Sequence, residues 1–206
     1  MPRVTASLSM SLDGFIAGPH DGFEHPLGEG GERLHEWMFG LATWRERHGL
    51  AGGKWDRDAD VIAETFATTG AVVMGRRMFD CGERPWGEAP PFHVPVFVVT
   101  HRSRERLVKE GGTSFTFVTA GIESALAQAR AAARGQDVAV AGGAQVVREF
   151  LRAGLLDELQ IHLVPVLLGD GRRLFEGPGG GRVELQRTRL IESPRMTHLK
   201  FRVVRG

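Results

Sequence analysis

The stretch Val138-Ala139-Val140-Ala141-Gly142-Gly143-Ala144-Gln145-Val146-Val147-Arg148-Glu149-Phe150-Leu151 decides the fold. Its first four residues are small and apolar, the composition of a strand buried on both faces. Gly142 and Gly143 carry no Cβ, so the backbone can turn sharply there and a ligand can lie against it. Val146, Val147, Phe150 and Leu151 then recur at helical spacing. The first amides of that helix have no partner inside it and point out of its N-terminus, an end that favours phosphate. Strand, glycine pair and helix form a buried α/β unit. By itself the pair is equally a tight turn between two core elements.

Outward from this unit the same pattern repeats. Ala71-Val72-Val73-Met74 is a buried strand running into Gly75-Arg76-Arg77-Met78-Phe79. Val96 to Thr100 is another, leaving through His101 and Arg102, and Phe115 to Val118 is a fourth. Ile122 to Arg134 is alanine-rich and reads as helix. Near the start, Val4, Ala6, Leu8, Met10 and Leu12 alternate with Thr5, Ser7, Ser9 and Ser11, a strand with one small polar face. Asp13-Gly14 turns the chain. His20 to Gly31 reads as loop. Leu34, Trp37, Met38, Leu41 and Trp44 predict one helix over residues 32–46. Asp58 is placed to cap the next helix and Gly70 to stop it. Residues 82–95, with four prolines and three glycines, read as loop.

After Leu159 the pattern changes. Leu159 to Leu168 is apolar and broken by Pro165, and Val183 to Ile191 and Thr197 to Val204 alternate with no helix between them. The whole predicts one α/β domain over residues 1–206. Its central, mostly parallel sheet is flanked by helices and extended by antiparallel C-terminal strands, with a loop and helix insertion around residues 19–58.

Composition narrows the function. With 26 basic and 25 acidic residues and a formal net charge of +1, nothing in the bulk balance points to nucleic acid or a membrane surface. Cys81 is the one cysteine, so no intrachain disulfide can form, which agrees with a reducing cytoplasm. No apolar run approaches the length of a membrane span, and residues 1–20 lack the form of a signal peptide. Neither G-x-G-x-x-G after the first strand nor a P-loop occurs. His20, Asp21 and His25 fit no strong metal spacing, so no metal is expected.

Three strand exits then belong together: Met74-Gly75-Arg76-Arg77, Val99-Thr100-His101-Arg102 and Ala141-Gly142-Gly143-Ala144. In an open α/β sheet, ligands sit beyond the carboxyl ends of the strands. Two exits bring arginine and the third a glycine bend, a set suited to a ligand with several phosphates.

These motifs resemble the dihydrofolate reductase-like superfamily. They are closest to its branch holding the C-terminal reductase domain of bifunctional riboflavin-biosynthesis proteins. Ser9 to Gly18 resembles the branch's first strand and turn, Val73 to Phe79 its Met-Gly-Arg helix entry, and Val140 to Gly143 its glycine-pair exit. Gly154 to Leu159, Pro165 to Gly169 and Arg173 to Phe175 resemble its C-terminal signature.

The resemblance implies an NADPH-dependent reductase acting on a small heterocyclic, imine or carbonyl substrate, as the pyrimidine reductase of riboflavin biosynthesis does. It places Arg76 at the adenosine 2′-phosphate with Arg77 or Arg102 as helpers, and Gly75 at the phosphate-facing helix start. Thr100 and His101 fall along the adenosine half. Gly142, Gly143, Ala144 and Gln145 fall around the pyrophosphate, Ser9 and Ile16 beside the nicotinamide, and Ser7 in the substrate cavity. Asp13 is the expected polar substrate contact, with a turn-forming role as its alternative. His162 either reaches the cavity or is a hydrogen-bonded structural histidine. The resemblance further implies a cytoplasmic homodimer using the apolar segment Ile161 to Leu168.

Two departures stand out. Met78 occupies the place of a threonine found in many dihydrofolate reductases, and the pteridine-binding carboxylate of the helix after the first loop has no secure match. The alternative is a protein that binds NADP(H) without turnover.

Overall fold

The computed structural model describes residues 2–176 and 182–204. In chain order the strands are β1 (Val4–Ser11), β2 (Phe15–Ala17), β3 (Thr69–Gly75), β4 (Pro95–Val99), β5 (Leu107–Val108), β6 (Ser114–Val118), β7 (Asp137–Gly142), β8 (Glu158–Val164), β9 (Arg172–Arg173), β10 (Glu184–Glu192) and β11 (Thr197–Val204). The α-helices are α1 (Glu36–Phe39), α2 (Ala42–Arg47), α3 (Arg57–Thr68), α4 (Arg76–Trp86), α5 (Gly121–Ala132) and α6 (Ala144–Arg152).

Among the described residues one sheet has the order β10-β11-β8-β1-β7-β3-β4-β6-β5. The inner strands β8, β1, β7, β3, β4 and β6 run parallel, and β5, β11 and β10 pair antiparallel at the two edges. This is the architecture expected from strand–helix alternation followed by a run of strands. All six parallel strands end on one rim.

Alternation divides the sheet into two faces. Val4, Ala6, Leu8, Val138 and Val140 point to the side covered by α5 and α6, where Phe150 is wholly buried. Truncating Phe150 to alanine there costs about 3–5 kcal/mol. On the opposite face Phe79 of α4 packs on Val72, Met74, Val96 and Val98. Farther along the same face, Trp37, Leu41, Ala59 and Ile62 pack on Val164 and Met196. Between those two clusters the sheet carries only small side chains, Ser7, Ala139 and Ala141, and all three are partly exposed although they lie on central strands. Small and partly exposed, they leave this part of the sheet open to solvent, which gives the cleft its floor.

Several local expectations change. The helix predicted over residues 32–46 is a 3-10 turn (Gly31–Leu34) followed by α1 and α2, because the chain breaks at His35 and again at Gly40. The periodicity was real, since Leu34, Trp37 and Leu41 are all buried, but three short pieces supply it. Asp56, not Asp58, caps α3, its Oδ1 accepting from the Asp58 and Ala59 amides. Gly70 stands inside β3 rather than ending a helix, and a Cβ there would lie 2.5 Å from the Ala133 carbonyl oxygen. Helix α4 runs through Pro85 to Trp86, into the stretch read as loop, and the Trp86 ring lies where a Gly82 side chain would be. In the segment offered as a dimer surface, Ile161 and Val164 are buried in β8 between β1 and β11, whereas Leu167 is 71% exposed.

Candidate functional site: one rim of the sheet

The rim brings the glycine exits into contact. Met74 is the register partner of Gly142. A Cβ on Gly75 would lie 3.0 Å from Val146 Cγ2, 3.6 Å from the Gly143 nitrogen and 3.7 Å from the Gly142 oxygen. Gly142 has φ +130, a conformation that L side chains rarely adopt, and the Gly142–Gly143 peptide is cis. A Cβ on Gly143 would meet nothing within 4 Å, so the bend faces open space.

Both helices that start here have the same kind of beginning. Gly75 is the N-cap of α4 and Gly143 that of α6, and neither supplies a side-chain acceptor to the first amides. Helix α3, by contrast, is capped by the Asp56 carboxylate. A glycine cap leaves the leading N–H groups and the positive end of the helix dipole for something else. Two such ends side by side suit a pyrophosphate. The glycines and donors therefore fit a dinucleotide.

The expected cofactor residues surround this point unevenly. Arg76, on the first residue of α4, is partly buried. Its Nε donates to Asp80 at 2.6 Å, and its guanidinium lies 5.7 Å from the centre of the Phe117 ring. Ala144 is buried under the bend, and exposed Gln145 donates to Glu149 along the helix. Thr100 is buried with its hydroxyl accepting the Arg102 amide, so it shapes the turn, while His101 and Arg102 project into solvent.

Arg77 turns elsewhere. It donates to Asp21, which also accepts from Arg172 at 2.7 Å. This ties the 18–31 loop to α4 and β9. The two guanidiniums hold the Asp21 carboxyl below the usual carboxylate range, against the opposing effect of burial. Burial raises the nearby Cys81 thiol, which keeps it in the unreactive form.

The residues expected at the nicotinamide and substrate divide in the same way. Ile16 lies in β2 and packs against the core. Ser9 is buried, its hydroxyl accepting from the Trp37 indole at 3.1 Å, so it faces the insertion rather than the cleft. Ser7 opens on the cleft floor and shares a 2.8 Å hydrogen bond with His162 Nε2.

His162 is buried beside Ser7, on the neighbouring strand β8. Burial, helped by His198 and His35, lowers its pKa to about 3. Asp13 accepts from Ser11 Oγ at 2.5 Å and from the Leu168 and Gly169 amides. The Ser11 hydroxyl is the main cause that lowers its pKa to about 2. Such a carboxylate is poorly suited to donate a proton near neutrality; its geometry is that of the turn-forming alternative, joining β1 to the 166–169 loop.

Sequence reading missed what stands behind His162. His162 Nδ1 is 2.6 Å from His198 Nδ1, and His198 Nε2 is 3.1 Å from Asp58 Oδ1. His162 and His198 are register partners on β8 and β11. Both histidines occupy alternating positions in their strands, but only the strand register brings them together. Among the described residues no group of three or more His, Cys, Asp or Glu is placed to hold a metal, and no helix is long and apolar enough to cross a membrane.

A mostly parallel sheet with an open cleft over its central strands and glycine-capped helix starts on one rim is the dihydrofolate reductase-like class of α/β fold. The chain resembles dihydrofolate reductase from Enterococcus faecalis complexed with NADP(H), with a TM-score of 0.55 and 13% identity over 98% of this chain and 96% of that one. It resembles more strongly a protein assigned to riboflavin biosynthesis from Shewanella sp. PV-4, with a TM-score of 0.70 and 20% identity over 98% and 99%.

Within that class, residues 2–199 match the RibD C-terminal domain, and the chain belongs to that family. The uncharacterised protein YwjB of Bacillus subtilis is 35% identical over 121 residues, 55% of this chain and 62% of that protein. The chain spans about six-tenths of the curated relatives it matches.

Proposed function

We propose that this protein is an NADPH-dependent reductase, similar to the pyrimidine reductase of riboflavin biosynthesis, acting on a small heterocyclic, imine or carbonyl substrate. The observation that carries the reading is the pair of glycine-capped helix starts, α4 and α6, meeting at Gly75 and Gly142–Gly143 beside an open cleft. Family membership supports the same reading.

In this account Gly75, Gly142, Gly143 and the leading amides of α6 hold the pyrophosphate. Arg76 reads the 2′-phosphate, exchanging its Asp80 contact for a bidentate grip. When bound, NADPH supplies the hydride. The chain's part is to hold the nicotinamide against a flat substrate over Ser7, Ala139 and Ala141, whose small side chains leave room for both rings. A homodimeric, cytoplasmic state belongs to this reading through the family resemblance, and light scattering reports the first.

The test is spectrophotometric. Purified protein is mixed with NADPH and a panel of pyrimidine, pteridine, quinone and carbonyl compounds, and the reduced-nicotinamide absorbance is followed. Steady, enzyme-dependent loss with one member is the expected result. Tight NADPH binding with no oxidation by any member would favour a binding or sensing protein.

A further inference from the structure

The cleft floor is joined to the surface by a continuous chain of hydrogen bonds that binding a dinucleotide does not require. It runs from Ser7 Oγ to His162 Nε2 at 2.8 Å, across the two Nδ1 atoms of His162 and His198 at 2.6 Å, and from His198 Nε2 to Asp58 Oδ1 at 3.1 Å. Asp58 Oδ2 then accepts from Arg195 at 3.2 Å. His162, His198 and Asp58 are 3%, 3% and 1% exposed, while Ser7 at one end is partly open. At the other end Lys54, Asp56, Asp58 and Arg195 line a surface pocket of about 420 Å³. The chain therefore opens at both ends, and at its middle His198 borders a smaller pocket lined by Arg189 and Lys200. Lys54, Asp56, Arg57, Glu192 and Arg195 surround the outer port. Trp37 lies 5.0 and 5.3 Å from the two imidazoles, and His35, itself lowered by burial to about 4, is the further titratable group near His162. Gln160 and Lys200 flank the pair along β8 and β11.

Resting on the reductase reading, we propose that Ser7, His162, His198 and Asp58 are a proton relay, carrying a proton from the pocket beside Arg195 to the cleft, where Ser7 gives it to the reduced substrate. Two neutral imidazoles meeting through their Nδ1 atoms can share only one hydrogen, so the chain has two polarities. With Asp58 ionised, His198 donates from Nε2 to Asp58, His162 donates from Nδ1 to His198, and the Ser7 hydroxyl donates to His162. Ser7 then shows only lone pairs to the cleft. When a proton enters at Asp58, every bond reverses. Asp58 donates to His198 Nε2, His198 Nδ1–H donates to His162, and His162 Nε2–H donates to Ser7, whose own hydrogen is released toward the cleft.

The step balances. The dinucleotide's hydride forms the new C–H bond, and the C=N or C=O π pair moves to the heteroatom. The Ser7 O–H bond breaks and its proton bonds that heteroatom. Ser7 takes the His162 Nε2 hydrogen, His162 the His198 Nδ1 hydrogen and His198 the Asp58 hydrogen, leaving Asp58 ionised. Burial that keeps His162 neutral suits this role, because an imidazole passes a proton between its two nitrogens only when one of them is free to accept.

Nitrogen NMR of the full chain labelled at histidine tests the wiring without turnover. His162 and His198 are expected as neutral rings of opposite tautomer, and proton entry on acidification is expected to reverse both tautomers together, from Nδ1–H to Nε2–H at His162. Asp58→Asn removes the reversal. Tautomers that stay fixed in the wild type, or a His198 that becomes cationic with no change at His162, would overturn the relay.

The kinetic arm uses the panel compound that is reduced. Ser7→Ala, at a partly open position, should lower kcat by about 10²–10⁴ with KM for NADPH held within about twofold, and Ser7→Thr should restore most of it. Unchanged kcat in Ser7→Ala overturns the proposal. Fixed tautomers in a working reductase would remove the relay alone. Paired reversal in a protein that binds NADPH but oxidises it with no panel compound would remove the reductase reading alone.

Discussion

The two flanks of the cleft are built from opposite materials. On the α4/α6 side, three glycines and the first turns of two helices present backbone amides, with Arg76, paired to Asp80, on the first residue of α4. On the α3 side, side chains do the polar work: an aspartate caps the helix, and a second aspartate, two histidines and a serine are hydrogen-bonded in series. The first flank leaves donors unsatisfied for an anion. The second satisfies every member internally and opens only at its ends. A backbone site loses its open approach when a Cβ is added, whereas a side-chain network tolerates isosteric change but not loss of a hydrogen.

The sharpest way to break the comparison is on the glycine side. Gly142→Val places a branched side chain at φ +130 beside Met78 and Leu8. Backbone strain at such a position costs about 1–3 kcal/mol, and the pyrophosphate loses its approach as well. NADPH binding measured by calorimetry should fall below detection while circular dichroism still reports a folded protein. Unaltered affinity would show that the dinucleotide does not lie on this bend.

Arg76→Ala should have the next largest effect. One charge-assisted contact is worth about 1.5–3 kcal/mol, so NADPH affinity should drop roughly ten- to a hundredfold. NADH affinity should stay within about twofold, because NADH has no 2′-phosphate to lose.

Across the cleft, Asp56→Ala should cost about 1 kcal/mol of stability from the lost helix cap. It should leave NADPH affinity unchanged, since Asp56 contacts the Asp58 and Ala59 amides and Arg195 rather than the glycine exits. Chemical denaturation and calorimetry on the same sample check both halves.

The last prediction concerns pH. His162 and His35 have lowered pKa values, about 3 and 4, against an unfolded value near 6.5. Between those limits the unfolded chain binds more protons, so stability should fall as pH drops from about 6.5 toward 4. Asp13 acts lower. Its carboxyl is depressed to about 2, so its contribution is present above the unfolded value near 3.9 and disappears as pH falls toward about 2. Asp13→Asn should therefore lower Tm by a constant amount from about pH 8 to 5, and the two melting curves should converge in stronger acid. A gap that widens on acidification would contradict the depressed carboxyl.

The comparison also explains what could be read in advance. The glycine flank is written in consecutive residues: Val140 to Gly143 and Met74 to Arg76 each contain strand, bend and helix start within a few positions. The sheet followed from the same local evidence, because apolar runs and alternation are properties of neighbouring residues. The α3 flank is assembled from Ser7, Asp58, His162 and His198, which are brought together by β1–β8 and β8–β11 register and by a helix cap two residues from where it was expected. Nothing local marks His198 as the neighbour of His162.

Arg77 and Asp13 illustrate the converse. Each sits in a motif that resembles a binding site, yet a partner distant in sequence engages it: Asp21 holds Arg77, and the Leu168 and Gly169 amides hold Asp13. Trp37 stands at the helical spacing of a buried face and is buried, but its indole also occupies Ser9 and so removes that hydroxyl from the cleft.

The most direct test of the central claim is a fluorescence titration of the unmodified protein with NADPH and, separately, NADH. Convergence of Gly75, Arg76 and Gly142–Gly143 on one coenzyme predicts saturable binding of NADPH, at least about tenfold tighter than NADH. Absence of saturable binding, or equal affinity for the two coenzymes, would contradict it.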